Sequence, residues 1–150
     1  MWQLNLRHGY GIFESVDGRK YEGNWDHGKR HGRGILSHSN GERYEGDWIH
    51  GAMDGKGTLT SANGDKYEGG FQRNLYHGPA TFTKSSGDRF VGTCVEGKAC
   101  GEGIITYASG QVYKGMFNDD RRDGQGVCVY KDVSCVWRRA AHSLAVSCLN

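Results

Sequence analysis

Proline is nearly missing from this chain: Pro79 is the only one in 150 residues. Long apolar runs are missing too, and none approaches the roughly 20 residues that a membrane-spanning helix requires. The opening Met-Trp-Gln-Leu-Asn-Leu-Arg-His-Gly lacks the apolar stretch of a secretory signal. No CxxC pair occurs, and the five cysteines (Cys94, Cys100, Cys128, Cys135, Cys148) are odd in number, which argues against a closed disulfide framework. Free thiols in a reducing compartment, hence cytoplasmic residence, are the expectation. A net charge of only +2 gives no strong electrostatic steer toward nucleic acid or membrane. There is no P-loop and no Ser/His/Asp arrangement in a plausible context. Gly-x-Gly recurs at Gly9/Gly11, Gly32/Gly34 and Gly55/Gly57, but without the strand-to-helix setting that dinucleotide binding needs. The chain is therefore expected not to be an enzyme, with no catalytic residues and no cofactor.

What is abundant is glycine, 25 residues of it, interleaved with 4 Trp, 8 Tyr and 5 Phe. Glycine at this density without aromatics would indicate disorder. Here both fall into register. Tyr-Glu-Gly begins at Tyr21, Tyr44 and Tyr67, Phe-Val-Gly at Phe90 and Tyr-Lys-Gly at Tyr113, each 23 residues after the last. Numbering the repeat from that aromatic, position 3 is Gly23, Gly46, Gly69, Gly92 and Gly115. Position 5 is Trp2, Trp25, Trp48, Phe71, Cys94 and Phe117. Position 12 is glycine six times, from Gly9 to Gly124. Position 8 reads Asn5, Gly28, Gly51, Asn74, Gly97 and Asp120, the residue types that tolerate a left-handed backbone.

Positions 1, 3 and 5 alternate aromatic, glycine, aromatic, so in a strand they share one face. Position 15 is β-branched throughout, from Ile12 to Val127. Each repeat thus reads as two strands, over positions 23 to 6 and 13 to 18, joined by a glycine-bearing turn at positions 8 to 12. Asp17-Gly18, Asn40-Gly41 and Asn63-Gly64 then turn one repeat into the next. The expected fold is all-β: an elongated single-layer antiparallel meander of stacked β-hairpin repeats of 23 residues. A partial copy fills 1–20, and full copies start at 21, 44, 67, 90 and 113, making an array over 1–130. Residues 131–150 carry no repeat, and a short helix across Trp137–Leu149 is one reading of that tail. Met1 falls at position 4, and the pattern stops after Tyr130. A fragment or isoform of a longer array is therefore the expectation.

The run Tyr21-x-Gly23-x-Trp25-x-x-Gly28-x-x-x-Gly32-x-Gly34 resembles the MORN motif without a gap, and the copy at Tyr44 fits equally. The Tyr67 copy departs at Asn74 and Ala80, the Phe90 copy at Cys94 and the Tyr113 copy at Asp120. The resemblance implies a twisted β-sheet platform. It also implies a range of settings: membrane contact, ciliary and flagellar assembly, cytoskeletal scaffolding, and arrays attached to enzymes. The motif itself supplies no chemistry, so family resemblance speaks to fold before function.

Two surfaces are candidates for binding. The aromatic face, Tyr21, Trp25, Tyr44, Trp48, Tyr67, Phe71 and Phe90, would hold a partner helix or peptide, because exposed aromatic patches mark interaction sites. This makes a non-catalytic protein-interaction scaffold the first reading, with ciliary or flagellar and cytoskeletal assembly as its settings. The alternative is a membrane tether. Basic residues Arg7, Lys29, Arg30, Arg33, Lys98, Arg121 and Arg122 would then meet anionic phospholipid, at about 1 kcal/mol each near such a surface. Unpaired terminal strands offer a route to a homodimer. Basic residues at position 23 (Lys20, Arg43, Lys66, Arg89) share a face with acidic ones at position 2 (Glu22, Glu45, Glu68), which reads as a charge-balanced solvated surface. Position 11 holds His8, His31, Asp54, His77, Cys100 and Asp123. Successive members would lie about 9–10 Å apart, too far to share one ion, so no metal site is expected. Cys94 and Cys100 could pair across one hairpin, although Cys94 reads better as a small apolar stand-in for the position 5 aromatic.

Overall fold

The computed structural model describes residues 6–130 in full, and Trp2–Gln3, Val133–Ala140 and Ser143–Leu149 by their backbone. Among the described residues there are strands and turns and no helix. The strands are β1 (Trp2–Gln3), β2 (Leu6–Arg7), β3 (Gly9–Glu14), β4 (Lys20–Asp26), β5 (Lys29–Ser37), β6 (Arg43–Ile49), β7 (Ala52–Thr60) and β8 (Lys66–Gln72), then β9 (Leu75–Thr83), β10 (Arg89–Val95), β11 (Lys98–Thr106), β12 (Val112–Asn118), β13 (Arg121–Tyr130), β14 (Val133–Ala140) and β15 (Ser143–Leu149). The chain divides into two compact units, Met1–Leu75 and Tyr76–Asn150. In the first, β3 through β8 are paired antiparallel in chain order. In the second, β9 through β15 are paired likewise.

The first strand of each repeat lies where the sequence places it: β4 covers positions 23 to 6. The turn does not. It occupies positions 7 and 8 alone, and the second strand runs from position 9 to 17 instead of 13 to 18. Both turn residues are left-handed: His27 (φ 45) with Gly28 (φ 80), His50 (φ 49) with Gly51 (φ 93), and Arg73 (φ 48) with Asn74 (φ 69). Two consecutive left-handed residues define the tight turn whose twist matches that of paired strands. Position 12 is then no part of the loop. It is a left-handed glycine within the second strand, as at Gly32 (φ 68) and Gly55 (φ 108). The register slips beside it, between Gly23 and Trp25 and between Gly46 and Trp48. This is a β-bulge.

The slip leaves the position 4 carbonyl without its usual ladder partner, and the position 1 tyrosine supplies one. Tyr21 Oη donates to the Asn24 carbonyl at 2.9 Å, Tyr44 to Asp47 at 2.9 Å and Tyr67 to Gly70 at 2.8 Å. Tyr113 repeats the bond to Met116 at 3.3 Å. To reach it, the ring lies flat over two glycines that face each other across the hairpin, Gly46 and Gly57 under Tyr44. A Cβ on Gly46 would stand 2.5 Å from the Tyr44 hydroxyl and 2.6 Å from Gly57 Cα. Glycine is required here by space.

Tyr21 and Tyr44 also each bridge two position 5 rings, their own and that of the next repeat. Tyr21 meets Trp25 at 4.9 Å and Trp48 at 5.5 Å between centroids, and Tyr44 meets Trp48 and Phe71 at 5.0 Å each, all edge-on. Edge-to-face contact of this kind adds about 0.5–1.5 kcal/mol per pair beyond area burial. The indole N–H of Trp48 donates to the Gly34 carbonyl at 3.2 Å. A single layer of sheet thus builds a core out of its own rings: Tyr21, Tyr44 and Tyr67 are each 2% exposed. The tips lock the repeats further, since Gly28 N–H donates to the Arg7 carbonyl, Gly51 to Arg30, and Gly97 to Tyr76.

The β-branched position 15 row lies on the opposite face, where Ile12 and Ile104 are exposed. The tail forms the strands β14 and β15, not a helix. Its Val-Ser-Cys-Val-Trp run is rich in the β-branched and aromatic residues that favour strands.

Tyr44→Phe should lower stability by about 1–3 kcal/mol in denaturant unfolding, because the bulge carbonyl loses its donor. Trp48→Ala should cost about 3–5 kcal/mol by opening a core cavity. Gly46→Ala should be at least as damaging as Tyr44→Phe, because its Cβ displaces the ring.

Candidate interaction surfaces

The aromatic residues singled out from the sequence are brought together, but mostly as core. Tyr21, Trp25, Tyr44, Trp48, Tyr67 and Phe71 are buried, and Phe90 is half-buried. Phe90 has no hydroxyl to give the Thr93 carbonyl, and beside it Cys94 replaces the large ring. The Cys94 thiol is itself buried, and burial pushes its pKa up. Cys94 faces Ala99 and Cys100 faces Thr93, and both thiols are free.

What remains open on the aromatic side of the first unit is a groove of about 440 Å³. Phe13, Trp25 and Leu36 line its floor, and Arg19, Lys29 and Arg30 line its sides. No carboxylate lines it, although Arg19 is paired to Asp17 at 2.7 Å just outside. Phe13 and Leu36 reach this face because both lie opposite Tyr21 in the sheet register.

The seven basic candidates do not act as one set. The Arg30 guanidinium sits 4.5 Å from the Trp48 ring centre, Arg7 lies 4.0 Å from Phe13, and Arg122 lies 4.7 Å from Tyr113. All three occupy position 10, across the hairpin from the position 5 ring, so they cap the aromatic core as cation–π partners. Arg33 pairs with Asp47 at 3.6 Å and Lys98 with Asp119 at 3.3 Å. Lys29 and Arg121 are exposed. On the other face of the first unit the acidic and basic rows neutralise each other, with Arg43–Glu45 at 2.8 Å and Lys66–Glu68 at 2.9 Å. In the second unit that face carries Val91, Ile104, Met116 and Val127 alongside Glu102 and Lys114.

Two features escaped the sequence reading. The first is position 8. Where it is Asn or Asp, the side chain accepts from the position 10 N–H of the preceding repeat: Asn74 from Met53 at 2.8 Å and Asp120 from Ala99 at 2.8 Å. The second concerns position 11, whose members meet positions 6 and 7 of the following repeat, not one another. His8 Nδ1 lies 3.3 Å, and His27 Nδ1 2.6 Å, from the same Asp26 oxygen. Burial pulls the Asp26 carboxyl upward, but the His27 hydrogen bond and the charges of His27, His8 and His31 outweigh it and hold its pKa below the ordinary value. Aligning position 11 of one copy with position 7 of the next, His8 with His27 and His31 with His50, was the available signal.

Comparison with protein families matches the MORN repeat six times in succession, over residues 1–18, 21–43, 44–66, 67–89, 90–112 and 113–132. The chain belongs to the MORN-repeat family. A comparison with curated proteins finds no significant match. MORN repeats are protein- and membrane-interaction modules.

Burial pushes the Tyr21 phenol up to about 12, opposed only by the nearby Arg30 charge, and raises Tyr44 and Tyr113 as well. An unfolded tyrosine ionises near pH 10. The folded array therefore binds more protons than the unfolded chain above that value, and stability falls as pH rises from 10 through about 12. Ultraviolet titration of the phenols should show these tyrosines ionising together with loss of the β-sheet circular dichroism. Separate, earlier ionisation would contradict the packing.

Proposed function

We propose that this MORN array is a non-catalytic scaffold that holds a partner peptide or helix in the groove of its first unit. The observation that supports this is the pairing of an apolar floor, Phe13, Trp25 and Leu36, with a side wall of cations and no carboxylate. A segment with an aromatic or aliphatic side chain next to Asp or Glu suits that combination, since the apolar group supplies binding energy and the charge supplies orientation. The buried rings shape the groove from below and contribute to binding through Trp25 and Tyr21 at its floor. The reading extends to ciliary, flagellar or cytoskeletal assembly as the setting, in a reducing cytoplasmic compartment suited to the thiols of Cys94, Cys100 and Cys128. Homodimerisation through terminal strands would be a second mode of assembly, read out by sedimentation velocity.

A phospholipid tether draws on the same cations. With Lys29, Arg33, Lys98, Arg121 and Arg122 the exposed members of the basic set, and Arg33 and Lys98 already paired to Asp47 and Asp119, the attraction amounts to at most about 5 kcal/mol at about 1 kcal/mol per residue. That is short of the ~8 kcal/mol of a micromolar complex. The peptide reading is favoured on that magnitude.

Peptides selected by display against the chain should be rich in acidic residues beside apolar ones. Their affinity, read by fluorescence polarisation, should drop at least about tenfold (roughly 1.4 kcal/mol) in Lys29→Glu combined with Arg19→Glu. Arg121→Glu, in the other unit, should leave it unchanged. Equal binding by all variants would refute the groove. Liposome co-sedimentation that requires phosphoinositide and disappears with salt would favour the tether.

A further inference from the structure

The tip of the second repeat gathers three metal-ligand side chains against the end of the first. The ligand atoms of His8, Asp26 and His27 all lie within 4.8 Å of one another. Asp26 is the last residue of β4, and His27 is the left-handed first residue of the turn that follows. His8 directly precedes β3, and Trp25 opposite Gly9 fixes it beside them. The two imidazoles stand edge to face at 5.8 Å between centroids, so their nitrogens converge on one carboxylate instead of stacking. All three side chains are partly exposed, at 40%, 33% and 70% for His8, Asp26 and His27, while His8 Nδ1 itself is buried and has no hydrogen-bond partner.

We propose that His8, Asp26 and His27 form a divalent transition-metal site, with zinc as the fitting ion, that staples the first repeat to the tip of the second. Imidazole nitrogen and carboxylate oxygen are borderline-soft donors that bind Zn²⁺ at about 2.0–2.2 Å, which places neighbouring donors roughly 3.3 Å apart in a tetrahedron. His8 Nδ1 and Asp26 Oδ1 already stand 3.3 Å apart. The 2.6 Å between His27 Nδ1 and that oxygen has only to open slightly as the ion replaces the hydrogen bond between them. Three protein donors leave the fourth position to water. Binding releases whatever proton the two imidazoles hold.

The same rung recurs along the array with different side chains, and this makes the site specific. In the next rung His31 and His50 approach to 5.5 Å between centroids, but position 6 is Ile49 and the carboxylate is missing. In the rung after that, Asp54 accepts from the backbone N–H of Arg73 at 3.3 Å, and no imidazole is present. One rung of the described residues therefore has three donors.

Zinc titration of the full chain by calorimetry should give one equivalent bound at micromolar affinity or tighter, with a rise in melting temperature. Cobalt(II) should show the weak visible bands of nitrogen and oxygen coordination. Asp26→Asn and His27→Asn should each weaken binding at least about tenfold while keeping the metal-free melting temperature, and His38→Gln should change nothing. Ile49→Asp, at an exposed position, should raise the stoichiometry to two by completing the His31/His50 rung. The proposal is overturned by strong thiolate charge-transfer absorption from cobalt, which would place the ion at cysteines. Binding that Asp26→Asn and His27→Asn leave unaltered, or an Ile49→Asp variant that stays at one equivalent, would overturn it as well.

Discussion

A tyrosine ring laid over two facing glycines is the contact on which every other feature of this molecule depends. It uses the space that the missing Cβ atoms leave, it supplies the donor for the carbonyl that the bulge strands, and it presents its edges to the large rings on either side. Each of these functions needs the other two. Without the glycines the ring cannot lie flat. Without the bulge the hydroxyl has no acceptor, and without the flanking Trp or Phe the ring is uncovered. A one-layer sheet ordinarily has no interior, and here 2% exposure of three tyrosines is reached with no second layer over them among the described residues.

Much of this was legible because the repeat shows each position several times. The period, the strand from Lys20 to Asp26 and the shared face of Tyr21, Gly23 and Trp25 follow from the alternation of ring and glycine. The turn was misplaced for a physical reason. His27, His50, Arg73 and Glu96 adopt a left-handed backbone, which these residue types seldom do, so they gave no sign of it. Only the glycine, Asn or Asp that follows them did, and position 12 glycine, a bulge, looked like a second turn residue. The partner surface was misjudged in degree for a related reason. Composition marks a row of rings as apolar, but whether they cover one another depends on how closely the strands approach at the glycines.

The site residues divide along the same line. Arg7, Arg30 and Arg122 read as surface charge in the sequence, yet they share position 10 and lie over the rings of the core. Contacts between position 11 of one repeat and positions 6 and 7 of the next were invisible because they join residues 18 or 19 apart in different copies. A repeat read down its columns shows which residues are equivalent. It does not show which columns touch. The two units also differ where their core rows agree: a neutralised charged face in one, and a mixed face in the other, where Val91, Ile104 and Met116 stand beside Glu102 and Lys114. The core constrains one side of each strand and leaves the other free to diverge.

The hydrogen bonds from each hairpin tip point one way along the chain, from Gly28 back to Arg7, from Gly51 back to Arg30 and from Gly97 back to Tyr76. A hairpin therefore finds its anchor in residues made before it. At ribosomal rates of about 5–20 residues per second, one 23-residue copy takes about 1–5 s to emerge, whereas a hairpin closes in about 1–10 μs. Every copy has ample time to settle on its predecessor before the following one leaves the ribosome. The array is thus suited to growth by accretion from its N-terminal side, each new tip sealed on the strand laid down ahead of it.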